Sequence, residues 1–228
     1  RKKNLGLSKN IISGVTRDLK QRKMGIILED DIIVAPNFLR YMNTCLNKFK
    51  KEKKIWHING WNYNIKNKRD DNEIFYWRGM HCWGWATWHD RWVHYENDVK
   101  KIYSSFNKNQ KYRFNYDGTY DFWRQIERNY IKKINTWAIF WYVKIFMKKG
   151  LCVSPKKSLS YNIGNDRYAT NMSNNYNNYK IDFYPKNKFD LQFQKKVIEN
   201  KKQFSHIKKF LKKEKILNKL KNFISYKF

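Results

Sequence analysis

Short continuous apolar runs alternate along this chain with longer stretches whose apolar residues recur at helical spacing. Continuous runs rich in β-branched and aromatic residues are typical of buried strands. They occupy residues 25–28, 55–60, 74–77 and 151–155. Spacing of three and four residues predicts helices over 7–19, 36–49, 137–147 and from 204 onward. Ser8 stands where the N-cap of the first helix is expected. The alternation of strands and helices predicts an α/β protein.

The strand predicted at 25–28 runs directly into three carboxylates, Glu29, Asp30 and Asp31. Adjacent carboxylates repel one another and are costly to desolvate without partners. A divalent cation removes both problems, and carboxylate oxygens suit Mg²⁺ or Mn²⁺, which commonly take their remaining ligands from phosphate oxygens and water. The pattern favours a metal–diphosphate site. A solvated acidic turn ahead of the helix that begins near Pro36 is the alternative, because acids are also favourable before a helix N-terminus.

The second unusual segment is residues 80–92, which holds four tryptophans within ten residues. They are Trp83, Trp85, Trp88 and Trp92. A buried aromatic patch is the simpler interpretation, since large aromatic side chains often form the core. The alternative is a surface that stacks on a sugar, where Gly84 would allow the backbone to approach a ligand closely. On the chemistry of the residues alone, the core is favoured.

Three segments resemble motifs of one enzyme class. Residues 28–38 (LEDDIIVAPNF) look like the acidic motif of GT-A glycosyltransferases, in particular the N-acetylglucosaminyltransferases that build N-glycans and a bacterial sugar-transferase group from surface-polysaccharide clusters. Residues 83–88 (WGWATW) match that bacterial group nearly letter for letter, and residues 160–166 (SYNIGND) resemble its Asn-Ile-Gly motif at the edge of the active site. The resemblance implies a GT-A fold, a Rossmann-like mixed sheet flanked by helices.

The resemblance also implies roles for particular residues. In these relatives the last Asp of the acidic motif ligates Mn²⁺, which holds the diphosphate of a nucleotide sugar, so Asp31 is the expected ligand of Mn²⁺ or Mg²⁺. The donor side would be formed by Glu29, Asp30, Asp31 and Gly60, and the acceptor side by Trp83, Gly84 and Trp85. The implied partners are a nucleotide-diphosphate sugar and a glycan or polysaccharide acceptor.

Two positions depart from the pattern of the family. Many relatives carry Trp-Asp, with the Asp as catalytic base, where this chain has Trp137-Ala138. A related branch carries Trp-Ala-Ile there, so loss of activity does not follow, but the base must come from elsewhere. By position, the candidates are Asp117, which we select, and Asp121 and Glu127. Relatives also carry a Thr-His pair where this chain has Thr170-Asn171, and Asn coordinates a metal more weakly than His.

We expect three parts: a glycosyltransferase domain over 1–172, a polar loop or linker over 173–203, and a basic amphipathic helix over 204–228. One helix–strand unit precedes the acidic motif, whereas a nucleotide-binding sheet normally places two or more strands before it. The pattern therefore suggests that the first strands of the fold are missing. The C-terminal helix would either pack on its own domain or bind an anionic membrane surface, and the spacing favours neither.

A formal net charge of +30 suggests an anionic partner. Compositional drift is the alternative explanation, because Lys outnumbers Arg more than threefold, as expected of an AT-rich coding sequence. Nucleic acid is disfavoured because base recognition relies heavily on Arg. The three cysteines are odd in number and widely spaced, which indicates buried thiols in a reducing compartment.

The sequence thus predicts a metal-dependent glycosyltransferase that is cytoplasmic and peripheral at the inner face of the membrane. The alternative is an inactive or truncated module that binds a glycan or an anionic surface without turnover.

Overall fold

The computed structural model describes residues 4–63, 65, 74–164 and 191–225, with side chains up to residue 217. The helices are α1 (Leu7–Arg22), α2 (Phe38–Phe49), α3 (His89–Trp92), α4 (Val99–Ser105), α5 (Lys108–Phe114), α6 (Trp123–Tyr130), α7 (Ala138–Met147) and α8 (Lys201–Ser225). The strands are β1 (Met24–Ile27), β2 (Ile32–Val34), β3 (Ile55–Asn59), β4 (Ile74–Trp77), β5 (Trp85–Trp88), β6 (Leu151–Pro155) and β7 (Ser160–Asn162).

Five of these strands form one mixed sheet in the order β1-β5-β3-β6-β4. β3 and β6 run parallel, and the other neighbouring pairs are antiparallel. A separate antiparallel ribbon joins β2 to β7. This architecture confirms the predicted α/β class with a mixed sheet flanked by helices.

The sheet is covered on both faces because its strands alternate their side chains between two apolar clusters. In β4, Phe75 and Trp77 belong to one cluster, while Ile74 and Tyr76 belong to the other. The first cluster includes the buried face of α7, and the second includes the buried face of α2. Burial on both faces is the reason the central strands read as unbroken apolar runs.

Three local predictions were wrong. Ser8 does not cap the first helix: α1 begins after Gly6, and the Ser8 side chain is buried within the helix. β1 is not fully buried on both faces: it lies at the edge of the sheet, and although Ile27 packs against one apolar cluster and Ile26 against the other, all four of its residues are half-buried. Leu28 falls outside β1 and is 44% exposed. The C-terminal helix begins at Lys201, three residues before the predicted start.

The three cysteines are free thiols, as their spacing predicted, and Cys45 and Cys152 are buried in the two apolar clusters. Among the described residues, no helix combines the length and the apolar character needed to cross a bilayer.

Candidate active site

The β2–β7 ribbon brings the acidic motif against residues 160–164. Ile32 pairs with Asn162 in this ribbon, so Asp31 lies directly beside the end of β7. The Asn162 side chain donates from Nδ2 to Asp31 Oδ2 at 2.8 Å, and the Ile163 backbone N–H donates to the Asp31 carbonyl, also at 2.8 Å. Two motifs that are about 130 residues apart in the sequence are therefore in direct contact.

Gly164 fixes the orientation of this contact. Its N–H donates to Asn162 Oδ1 at 2.8 Å, so the amide nitrogen of Asn162 is the end that faces the carboxylate. A Cβ atom at position 164 would lie 2.5 Å from Asp31 Oδ2. Glycine is therefore required for the backbone to approach Asp31 this closely.

The second carboxylate oxygen of Asp31, Oδ1, is buried and has no hydrogen-bond partner among the described residues. A buried carboxylate oxygen without a donor is destabilising, and such an atom calls for an explanation. Asn162 holds Oδ2, so Oδ1 is the oxygen left to bind a cation. No group of three or more His, Cys, Asp or Glu ligands occurs in the described part of the chain. A cation at Asp31 would thus take most of its ligands from phosphate oxygens and water, as Mg²⁺ commonly does.

Two further carboxyl groups, Glu29 and Asp30, directly precede Asp31. Glu29 is half-buried, and burial first, then the charges of Asp31 and Asp30, raise its pKa to about 7. Asp30 is exposed. Burial raises the pKa of the Cys82 thiol, and the charges of Glu29 and Asp31 raise it further. The Trp-Gly segment that follows Cys82 therefore lies within electrostatic range of the acidic motif.

Backbone contacts join this segment to the end of β3. The Gly60 N–H donates to the Gly84 carbonyl at 2.7 Å. A Cβ on Gly60 would lie 2.6 Å from that oxygen and 2.6 Å from the Phe38 ring. Gly84 has a φ of 71°, which favours glycine, and a Cβ there would lie 3.2 Å from a methyl group of Leu28.

Residues 159–160 complete the junction. The Leu159 N–H donates to the Gly60 carbonyl at 2.8 Å, and the Ser160 hydroxyl donates to the Trp83 carbonyl. The structure thus brings together the acidic motif, Gly60, the Trp-Gly segment and the Asn-Ile-Gly segment, although they are distant in the sequence.

The tryptophans of this segment are mainly core residues. Trp85 and Trp88 lie in β5, and Trp92 ends α3; all three are buried. Trp85 has no exposed surface with which to contact a ligand, and it stacks on His57 and on Trp137. Trp83 differs, because it is half-buried and meets Trp61 edge-on at 4.8 Å between ring centroids.

Ala138 is the first residue of α7, directly after Trp137, which packs on Trp85 at 5.3 Å between ring centroids. Ala138, at the position that carries the base in many relatives, is therefore adjacent in the chain to Trp137, whose ring stacks on Trp85 of the Trp-Gly segment.

The carboxylates named as candidate bases lie among other contacts. Asp117 forms ion pairs with Arg78 at 3.5 Å and Lys208 at 2.8 Å. Asp121 is exposed and accepts the Arg124 N–H at the start of α6, and Glu127 is exposed. Thr170 and Asn171 lie outside the described residues.

Sequence reasoning missed Asn162 as a site residue. It noted the Asn-Ile-Gly resemblance but gave that segment no contact with the acids. The composition of β7, Ser-Tyr-Asn, gave little signal of a strand, and only its pairing with the β-branched run 32–34 places Asn162 beside Asp31.

Comparison with known families supports the resemblance. Residues 13–105 match the model of the GNT-I family, the N-acetylglucosaminyltransferase I-like group of glycosyltransferases. The matched segment runs from α1 to the end of α4 and includes the acidic motif, Gly60 and the Trp-Gly segment. No curated protein matches the chain. The match covers less than half of the chain, and over that segment it supports the resemblance to this group of glycosyltransferases.

Proposed function

We propose that this chain is a metal-dependent glycosyltransferase of GT-A type that moves a sugar from a nucleotide-diphosphate sugar to a hydroxyl group of a glycan or polysaccharide. The single observation that carries the proposal is the state of Asp31. One of its oxygens is held by Asn162, and the other is buried without a hydrogen-bond partner in the described structure. This occurs where three motifs of one enzyme class meet.

The residues fit a divalent cation bound through Asp31 Oδ1. Glu29 and Asp30 would lie beside the cation, and burial, followed by the charges of Asp31 and Asp30, raises the pKa of Glu29 to about 7. A bound cation would favour the ionised form of this carboxyl group. A Mn²⁺ or Mg²⁺ ion bound here would stabilise the negative charge that develops on the leaving diphosphate. Asn162 and Gly164 hold the Asp31 carboxylate in one orientation, so the ligand would be preorganised.

The acceptor would bind on the side of Trp83 and Gly84. Gly84 has no Cβ and brings its backbone close to Leu28, next to the acids. Trp83 is half-buried, whereas Trp85 is fully buried in the core. The Trp83 ring could pack on the C–H face of a sugar while its edge stays fixed against Trp61.

A second candidate function is donor binding without turnover. It is favoured by Ala138, which carries no titratable group at the position of the base, and by the two cations that engage Asp117. In that case the chain would bind a nucleotide diphosphate and a cation but would not transfer the sugar.

Calorimetric titration with a panel of nucleoside diphosphates, with Mn²⁺ and with a chelator, tests the donor site. The proposal predicts Mn²⁺-dependent binding of at least one nucleoside diphosphate. The Asp31→Asn variant keeps the shape of the side chain and should weaken this binding by at least about tenfold. Asp18→Asn is the matched control, because Asp18 is an exposed carboxylate that pairs with Arg22 within its own helix. Equal binding by the wild type and Asp31→Asn would contradict the proposed ligand.

A further inference from the structure

α8 carries two apolar stripes on different sides of the same helix. The first comprises Phe204, Ile207 and Leu211, whose side chains are 4%, 0% and 6% exposed and belong to the large apolar cluster of the domain. Their spacing of three and four residues places them on one face. The first three turns of α8 therefore pack on the domain, as one of the two sequence interpretations predicted.

Ion pairs fix this first half of α8. Lys208 lies 2.8 Å from Asp117, and the Arg78 guanidinium lies over the Phe204 ring at 4.7 Å. Arg78 also makes a two-pronged contact with Glu199, just before the helix, with both distances 2.7 Å. These contacts set the rotation of the helix about its axis.

The second stripe begins at Ile216 and Leu217, which are 60% and 39% exposed. At about 100° per residue, both positions lie more than about 110° around the helix from Leu211. The sequence continues with Leu220, Phe223 and Ile224 at helical spacing from them. The positions that would extend the buried stripe are instead polar: Glu214, Asn218 and Asn222. With its first half fixed on the domain, a continuous helix directs Ile216 and Leu217 away from the buried stripe.

Positive charge surrounds the second stripe. Residues 201–228 contain ten lysines and one glutamate, and the exposed lysines of the described part are Lys201, Lys202, Lys209, Lys212, Lys213 and Lys215. Exposed aliphatic side chains beside lysines are suited to the boundary between acyl chains and anionic headgroups. A nucleic acid would use the lysines but not Ile216 and Leu217, and a second copy of this helix would bring like charges together.

We propose that the second half of α8 binds the surface of an anionic lipid bilayer, with Ile216 and Leu217 entering the headgroup region and the flanking lysines contacting the lipid charges. The first half anchors this element to the enzyme domain through Phe204, Ile207 and Leu211. This inference does not depend on the proposed catalytic activity, because none of these residues belongs to the site at Asp31.

Co-sedimentation of the chain with vesicles tests the proposal. One set of vesicles contains phosphatidylcholine with about 30 mol% phosphatidylglycerol, an anionic lipid that gives the vesicles a negative surface potential. The other set contains phosphatidylcholine alone. The Ile216→Ser/Leu217→Ser and Lys212→Glu/Lys213→Glu variants should each bind the anionic vesicles at least about tenfold more weakly. Since all four side chains are exposed, both variants should fold.

Matched controls make the same chemical changes elsewhere on the surface. Leu39→Ser/Ile131→Ser replaces an exposed leucine of α2 and an exposed isoleucine just after α6, and Lys100→Glu/Lys108→Glu makes the same change in net charge on α4 and α5. Both controls should bind like the wild type. Raising the salt concentration should weaken wild-type binding.

Three results would overturn the proposal: no binding of the wild type to anionic vesicles, equal binding to neutral vesicles, or equal losses in the variants and their controls. A self-association that light scattering detects and that Ile216→Ser/Leu217→Ser abolishes, without vesicle binding, would also overturn it and would assign the stripe to a second copy of the chain.

Discussion

Asn162 donates a hydrogen bond to Asp31 across the β2–β7 ribbon, at 2.8 Å from Nδ2 to Oδ2. The bond occupies one carboxylate oxygen and leaves Oδ1 buried without a partner in the described structure. The amide of Asn162 is itself oriented by the Gly164 N–H. Together, these two hydrogen bonds fix the orientation of the Asp31 carboxylate, which is the geometry that the proposed cation site requires.

Replacing Asn162 tests its role in positioning Asp31. Asn162→Ala removes the donor to Oδ2, so the carboxylate can rotate, and Mn²⁺-dependent binding of a nucleoside diphosphate should weaken by about 10- to 100-fold. Asn43→Ala is the control, because Asn43 is exposed and its side chain donates a local hydrogen bond to the Leu39 carbonyl one turn earlier in α2. Calorimetry gives the affinity. An unchanged affinity in Asn162→Ala would show that Asp31 does not need this bond.

Gly164→Ala tests the close approach of the backbone to Asp31. The new methyl group would lie 2.5 Å from Oδ2, so the carboxylate or the loop must move, and we expect a loss of Mn²⁺-dependent nucleotide binding of at least about tenfold. Gly14→Ala is the matched control. A Cβ at that position, within α1, meets nothing within 4 Å, and it should stabilise the protein by about 0.5–1 kcal/mol. Full binding by Gly164→Ala would contradict the steric argument.

Gly60→Ala should act on stability as well as on the site. Its Cβ would lie 2.6 Å from the Gly84 carbonyl oxygen and 2.9 Å from the Ser160 hydroxyl, both fixed by hydrogen bonds. Overpacking of this kind typically costs about 1–3 kcal/mol. Urea denaturation measures the loss, and the Gly14→Ala variant again serves as control. A variant as stable as the wild type would mean that the junction of these segments is looser than the structure shows.

Buried His57 and half-buried His81, whose Nε2 atom is buried, predict a loss of stability in mild acid. Burial lowers the pKa of His57 and His81 to about 3. The Trp141 indole N–H donates to His57 Nδ1, so protonation there would break that bond. The unfolded chain takes up protons near pH 6.5, and the folded chain does so only near pH 3. The free energy of unfolding is therefore unaffected by the protonation of these histidines above about pH 6.5 and decreases as the pH falls towards 3. At pH 5 the decrease is about 2 kcal/mol per histidine.

Thermal melts between pH 7.5 and 5 measure this dependence. His57→Gln keeps an acceptor for Trp141 and does not titrate, so its stability should fall less steeply with decreasing pH than that of the wild type. Parallel curves for the two proteins would contradict the assignment of a neutral buried histidine.

Much of the fold was readable from local patterns. The apolar runs at 55–60, 74–77 and 151–155 correspond to β3, β4 and β6, because strands covered on both faces need apolar side chains at nearly every position. The run at 137–147 corresponds to α7, which begins at Ala138. The edge position of β1 was not readable, since it depends on which strands pair and not on the composition of the strand.

The candidate site was only partly readable. The acids were visible as a local motif, but the contact between Asp31 and Asn162 depends on the register of two short strands far apart in the sequence. The Trp segment was ambiguous for a different reason, because an aromatic residue that lines a ligand site and one that fills the core look alike in sequence. The structure separates half-buried Trp83 from fully buried Trp85.

The central claim is that this chain transfers a sugar through a metal site at Asp31. The most direct test measures release of nucleoside diphosphate from a panel of nucleotide sugars, with Mn²⁺, with Mg²⁺ and with a chelator, for the wild type, Asp31→Asn and Asp18→Asn. The account predicts Mn²⁺- or Mg²⁺-dependent release from one nucleotide sugar by the wild type and Asp18→Asn, and a loss of at least about 100-fold in Asp31→Asn. Release that persists with the chelator, or that is equal in Asp31→Asn, would contradict the account. Mn²⁺-dependent binding without release from any nucleotide sugar would contradict transfer and would favour the donor-binding module that Ala138 suggests.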